Sequence, residues 1–358
     1  MSSTPPNLPF SEPPVRAEVV EPVRTSPPPA APRRRLGCLM AVMAMVGMGF
    51  FGLVVVIVLL GMGSLGSEHR VREEYVSHNR FGSDKVVIIT LDGPIFTGDG
   101  FVKRQIDRAK EDKSVKAVVL RVDSPGGTVS GSDYLYHYLC ELAKDRDIPI
   151  VVSMGGIAAS GGYYVSMAVG PTPDTIFAEP TTWTGSIGVK IPHYDLSTLL
   201  SRVGVKEDTI ASHELKTMGS IAKPMSEVER KIFQSLVDDS FSRFKQIIRD
   251  GRPRFAQDPK ALDTLATGQV YTADQALKNG LVDKIGFVED AVGRAIELAA
   301  LDKSRVRVVK YKPEVSLATL FGGAARAKPS ALTTLLEATS PRAYYLHTWL
   351  PAALASGK

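Results

Sequence analysis

The chain begins with a stretch in which apolar residues follow no period. Residues 1–35 are crowded with prolines, among them Pro13-Pro14 and Pro27-Pro28-Pro29, and lack the apolar mass that a core requires. This composition predicts a disordered tail. From Leu36 to Ser67 the pattern inverts: no charged residue occurs, and the centre, Phe50 to Leu60, is strongly apolar. A bilayer core is spanned by about 20 such residues. Residues 36–63 therefore predict a transmembrane helix, since Gly47, Gly49, Gly52, Gly61 and Gly63 suit a buried soluble helix poorly. A polar stretch over 64–83 reads as a linker.

Beyond it the pattern becomes regular. Short β-branched runs at Val86–Leu91, Lys116–Val122 and Ile148–Ser153 alternate with helical stretches near 100–112 and 130–144. Such alternation predicts βαβ units around a parallel sheet. Further strands are expected at Thr175–Ala178, Ile187–Ile191 and Lys206–Ala211. A long amphipathic helix is expected from Ser226 to Asp250, opened by a Ser226/Glu229 capping box, with Ile232, Leu236, Val237, Phe241 and Phe244 on its apolar face. A helix over Thr272–Asn279 should stop at Gly280. A helix near 287–300 and a strand near Arg305–Tyr311 complete a domain spanning 84–311. Residues 312–358, rich in small residues and prolines, read as a flexible tail.

Composition changes this picture little, charge somewhat more. The 358 residues carry a formal net charge of +5, and no basic stripe with interleaved aromatics supports nucleic-acid binding. Arg33-Arg34-Arg35 stand before the apolar run and mixed charges follow it, which places the N-terminus in the cytoplasm and the domain outside. That orientation opposes cytosolic acyl-CoA chemistry. The same arginines argue against a lipoprotein signal at Leu36-Gly37-Cys38. Of the two cysteines, Cys38 lies in the apolar run and Cys140 on an expected helix, so a disulfide is not expected.

The candidate chemistry lies in two glycine-bearing turns after adjacent strands: Asp123-Ser124-Pro125-Gly126-Gly127, and Gly155 to Tyr164 with Ser160-Gly161-Gly162 at its heart. In a parallel sheet the carboxyl ends of neighbouring strands line one crevice. Glycine pairs there turn backbone N–H groups inward, as an oxyanion hole requires. Ser160 would stand at the start of a helix, either as a nucleophile or as an N-cap serine without chemistry. A nucleophilic serine needs a base. His193, His213, Lys190, Lys216 and Lys223 all qualify by position. A lysine serves if burial favours its neutral form.

Four segments resemble the signal peptide peptidase A family of serine peptidases, a bacterial branch of the Clp protease/crotonase superfamily. They are Asp123–Gly127, Met154–Tyr164, Thr184–Val189 and Gly268–Asp283, in the family's order behind an N-terminal apolar run. The resemblance implies a crotonase-like α/β superhelix and peptide hydrolysis through an acyl-enzyme. It places the nucleophile on Ser160 and the base on Lys216. Ser186 would orient the lysine amine, and the N–H groups of Gly127 and Gly161 would form the oxyanion hole. It implies no metal or organic cofactor.

Its implied partners are peptide substrates such as remnant signal peptides, membrane lipid around the N-terminal helix, and further copies of the chain in a ring-shaped homo-oligomer that can share a site between subunits. The setting implied is the bacterial inner membrane. His213 and Thr217 stand where the family has Gly and Asp, Lys190 where an apolar residue is common, and four extra residues fall near Gly170–Pro173. Two rivals remain: a Ser–Lys protease acting on one specific membrane protein, and a non-catalytic scaffold of the same fold.

Overall fold

The computed structural model describes residues 71–314 and 344–346, together with Met43, Met45 and Met48, which are helical and exposed. Apart from those methionines, the expected disordered tail and transmembrane helix lie outside the described residues, and among the described residues no helix is long and apolar enough to cross a membrane.

The domain is a mixed α/β structure around a nine-stranded sheet. Its centre is formed by β2 (Asp84–Asp92), β3 (Val115–Ser124) and β5 (Ile150–Ala159), paired in parallel. The parallel strand β10 (Val306–Pro313) lies beside β2; β6 (Ile176–Ala178) and β9 (Lys284–Ile285) extend the other side. Side chains alternate across a strand, so Val87, Ile89 and Leu91 of β2 join one core and Val86 and Ile88 another. The second core is closed by α9 (Val288–Leu298), through Ala291, Val292, Ala295 and Ile296. The first packs under α1 (Phe101–Glu111), α2 (Val129–Arg146), α3 (Gly161–Ser166) and the C-terminal half of α5 (Glu227–Gly251). Burial on both faces explains why the central strands read as unbroken apolar runs.

Several expectations are corrected. The stretch 64–83, read as a linker, contains strand β1 (Val71–His78), antiparallel to β10. Its polarity is that of a sheet edge: Glu73 and Glu74 meet Lys85 at 2.8 Å and Lys312 across the strand pair. The tail is corrected too, because β10 runs on to Pro313 and Tyr344–Leu346 form strand β11, antiparallel to β4 (Gly126–Thr128).

Ile187–Ile191 is not a strand. The end of β5 is paired instead by β7 (Trp183–Gly185), which β8 (Val270–Thr272) continues. Lys206–Ala211 is irregular and exposed throughout, following a short helix α4 (Ser197–Arg202) that buries no residue. Helix α5 carries the expected capping box at Ser226 and Glu229. Its buried residues, however, include Phe233, Phe244, Ile247 and Ile248, and Leu236 stands 47% exposed, because its N-terminal half borders an open cavity. Gly280 closes α8 (Ala273–Asn279) in the left-handed conformation, as expected.

Candidate active site

Strands β3 and β5 end side by side, with Ser124 registered against Ala158. The two glycine-bearing turns that follow them therefore share a crevice. Ser160 is the hinge between β5 and α3. Its backbone, at φ 56 and ψ −116, occupies a region that costs a non-glycine residue about 1–3 kcal/mol. The turn is held by hydrogen bonds on both sides: the Ser160 N–H donates to the Gly185 carbonyl at 2.7 Å, and the Tyr164 N–H to the Ser160 carbonyl at 2.9 Å. The Ser160 hydroxyl makes no capping bond to the helix it precedes. The N-cap reading therefore does not account for this serine, and a sharp strand-to-helix turn is the geometry that exposes a nucleophile at a sheet end.

The glycines press the two turns together. A side chain at Gly127 would collide with the Ile95 carbonyl, and one at Gly161 with the Ser132 hydroxyl. A Cβ placed on Gly161 would also lie 3.1 Å from the Gly127 nitrogen, so the two expected oxyanion donors are neighbours. Ser186 follows Gly185 on the next segment. Its φ is 50, it is buried, and its N–H donates to the Gln269 carbonyl at 2.7 Å. Ser160 and Ser186 are thus joined through the Gly185 carbonyl and line one cavity of ≈ 960 Å³, with apolar walls from Ile157, Trp183, Val237 and Phe241.

The five candidate bases separate clearly. His213 caps the turn Glu214–Thr217, its Nδ1 accepting the Leu215 N–H at 3.2 Å, and it is exposed. The His193 Nε2 lies 3.2 Å from the Ser220 carbonyl in a separate cavity. Lys223 is paired with Glu229 and Thr217, each at 2.8 Å. Lys216 is exposed on that same turn and does not line the cavity of Ser160. Lys190 does line it. Much of the Lys190 side chain stays accessible, yet desolvation by burial pushes its ammonium below the usual lysine value. Sequence reasoning missed Tyr344, which also lines the cavity; its only signal was a pair of tyrosines in a tail of small residues. Among the described residues no cluster of His, Cys, Asp and Glu is arranged to hold a metal.

Comparison with known proteins adds to this geometry. The model of peptidase family S49 matches residues 142–302, a span that includes Ser160, Ser186, Lys190 and Lys216 but not Gly127. A putative signal peptide peptidase SppA of Enterococcus faecium is 42% identical over 212 residues, covering 59% of this chain and 59% of that protein. Protease 4 of Salmonella typhi is 37% identical over 238 residues, 65% of this chain but 37% of its own length. A putative protease of Synechocystis sp. is 35% identical over 240 residues, and the match covers 83% of it. The chain belongs to peptidase family S49. The resemblance to SppA-type serine peptidases read from the motifs is thereby borne out. S49 relatives differ in length, and the chain spans only 37% of Protease 4 and 59% of the Enterococcus protein.

Proposed function

We propose that the chain is a membrane-anchored serine endopeptidase of crotonase-like fold, working through a Ser160–Lys216 dyad. The observation that carries the reading is the strained turn at Ser160, set among closely packed glycines and over an apolar cavity. Ser160 attacks the peptide carbonyl while neutral Lys216 takes its proton. The Gly127 and Gly161 N–H groups stabilise the tetrahedral oxyanion, and Lys216 returns a proton to the leaving amine. Water then releases the acyl group by the same steps. Ser186 orients the lysine amine. Substrates are remnant signal peptides or other membrane-associated peptides. The helix over 36–63 holds the enzyme in the bacterial inner membrane, with the catalytic domain on the extracytoplasmic side. No metal or organic cofactor takes part.

Lys216 is exposed and lies outside the cavity of its own Ser160. A base must be desolvated to stay neutral, so the dyad is completed by Lys216 of a neighbouring subunit in a ring-shaped homo-oligomer. A second reading has Lys190 as the base within one subunit, since it shares the cavity with Ser160 and its ammonium is already destabilised by burial. Mixing separates them. Ser160→Ala and Lys216→Ala proteins, each inactive alone, should together recover roughly a quarter of wild-type turnover after subunit exchange. Lys190→Met inactive while Lys216→Ala alone retains turnover establishes the single-subunit reading instead. Absence of labelling of Ser160 by a fluorophosphonate probe would sink both.

A further inference from the structure

The turn Glu214–Thr217, which carries Lys216, buries no residue, yet it is tied down at several points. Within it the Lys216 N–H donates to the His213 carbonyl at 2.9 Å. The Thr217 hydroxyl donates to the Glu214 carbonyl at 2.8 Å and accepts from the Lys223 ammonium at 2.8 Å. That ammonium donates also to Oε1 of Glu229, at 2.8 Å. Just beyond, the Ile221 carbonyl accepts the Leu196 N–H at 2.8 Å. Glu229 is 2% exposed, in the first turn of α5. A capping box needs one side-chain oxygen to accept the N-cap N–H, and Oε2 does so for Ser226 at 2.8 Å. The cap leaves Oε1 over, and a buried carboxylate oxygen is costly without a donor. Lys223 supplies that donor and reaches Thr217 as well. The link from Thr217 through Lys223 to Glu229 thus joins the neighbour of Lys216 to a rigid helix end, and it is separate from the cap.

We propose that Lys223 and Glu229 are positioning residues, a clamp that holds the Lys216 turn so that its amine enters a Ser160 cavity. The inference rests on the reading of Lys216 as the base. An exposed lysine titrates at about 10.4, and only a seated, desolvated one is neutral near about pH 7. Seating is therefore an equilibrium, and the clamp biases it. The stretch that leads into the turn, Arg202 to His213, is exposed throughout. A turn free to swing with that stretch delivers the amine for a smaller part of the time, and the apparent basicity of the site moves back towards that of free lysine in the same proportion.

The test follows kcat against pH for a peptide substrate, on the full chain in detergent. Lys223→Met and Thr217→Val each cut the link. The second removes no charge and leaves both the cap and the Lys223–Glu229 pair whole. Each should lower kcat about tenfold at about pH 7.5, the effect of one hydrogen bond to a charged group. The apparent pKa of the rising limb should move up by about one unit, so that the curves converge at high pH. Thr217→Ser, which keeps the hydroxyl, should stay within about twofold of wild type. Profiles are read above about pH 7.5, past the ordinary titration of histidines and carboxylates. That sets aside His193, His213, Glu207 and Glu214 around the clamp and Asp238 in the cavity. Two other lysines stand near, Lys190 in the cavity and Lys206 beside Lys223. The Thr217→Val shift should therefore persist when Lys190→Met and Lys206→Met are both present. An equal loss at every pH, with the limb unmoved, means that the link only supports the fold and overturns the proposal. Wild-type kcat in both variants, with Lys216→Ala inactive, removes the clamp and leaves the dyad. A Lys216→Ala protein that turns over normally removes the dyad, and the clamp with it.

Discussion

The nucleophile turn and the segment carrying Lys216 are built in opposite ways. Around Ser160 every residue from Ala158 to Val169 is buried, and backbone pairing ties the end of β5 to Ser124 on one side and to Gly185 on the other. From Arg202 to Glu214 every residue is exposed, Ile210 at 99%, and no helix or strand is present after α4 until the turn at Glu214. One region keeps a strained backbone because its surroundings over-determine it. The other has no layer of this domain to pack against. Half of the proposed dyad is thus fixed by the fold of one subunit, and the other half is presented to whatever covers it.

The contrast can be broken or sharpened in order of effect. Ser160→Ala should lower kcat/KM for a peptide substrate by about 10⁴–10⁶-fold, measured on the detergent-solubilised chain. Ser160→Gly should be equally inactive yet melt higher by about 2–4 °C. Releasing about 1–3 kcal/mol of strain outweighs glycine's added chain entropy of about 0.5–1 kcal/mol. A glycine variant that melts lower than the alanine variant would show that the turn stores no strain. Next comes the base. Lys216→Arg should lose about 10³-fold or more, because a guanidinium is not deprotonated in a protein, while Lys190→Met loses less than about tenfold. The opposite ranking moves the base into the cavity and removes the need for a second subunit.

The smallest effect on activity belongs to the scaffold beneath the turn. Burial disfavours ionisation of Asp283, but the Arg252 guanidinium at 2.7 Å and the N–H groups of Ile176 and Thr175 outweigh it and hold the carboxyl below its usual range. A lowered carboxyl pKa stabilises the fold above the unfolded value of about 3.9, and the gain is lost as pH falls through the folded value. Asp283→Asn should therefore lower Tm by about 6–12 °C at pH 7, for a loss of about 3 kcal/mol. The gap to wild type should begin to narrow below about pH 4 and close only once the pH is below the folded value. Turnover per folded molecule should stay within about threefold. A gap independent of pH would show that the ion pair is not what Asn removes.

What was legible in the sequence follows from the same contrast. The central strands were readable because burial on both faces leaves Val86–Leu91 and Ala117–Val122 almost without polar residues. Ser160 stood out because Gly161-Gly162 follow it at the end of such a strand. Strand β1 was hidden by the charges of Glu73 and Glu74, which satisfy partners across a sheet edge and read locally as a linker. Ile187–Ile191 has the β-branched content of a strand, but β7 already takes the end of β5 and only Lys190 pairs, with Tyr344; Lys206–Ala211 is exposed throughout. Strand β11 was invisible for another reason: Tyr344-Tyr345-Leu346 is too short to show a period, and only β4 and Lys190, far off in sequence, make it a strand.

The two short bonds that tether the site, from the Ser160 N–H to the Gly185 carbonyl and from the Ser186 N–H to the Gln269 carbonyl, both at 2.7 Å, have a consequence for isotope labelling. Both donors belong to buried residues. Deuterium reaches such amides only through large openings of the molecule, whereas the exposed amides of Lys206–Ala211 exchange with little protection. In deuterated buffer the nucleophile segment should thus stay protonated for about as long as the central sheet, and the segment around Lys206 should be labelled at the first time point.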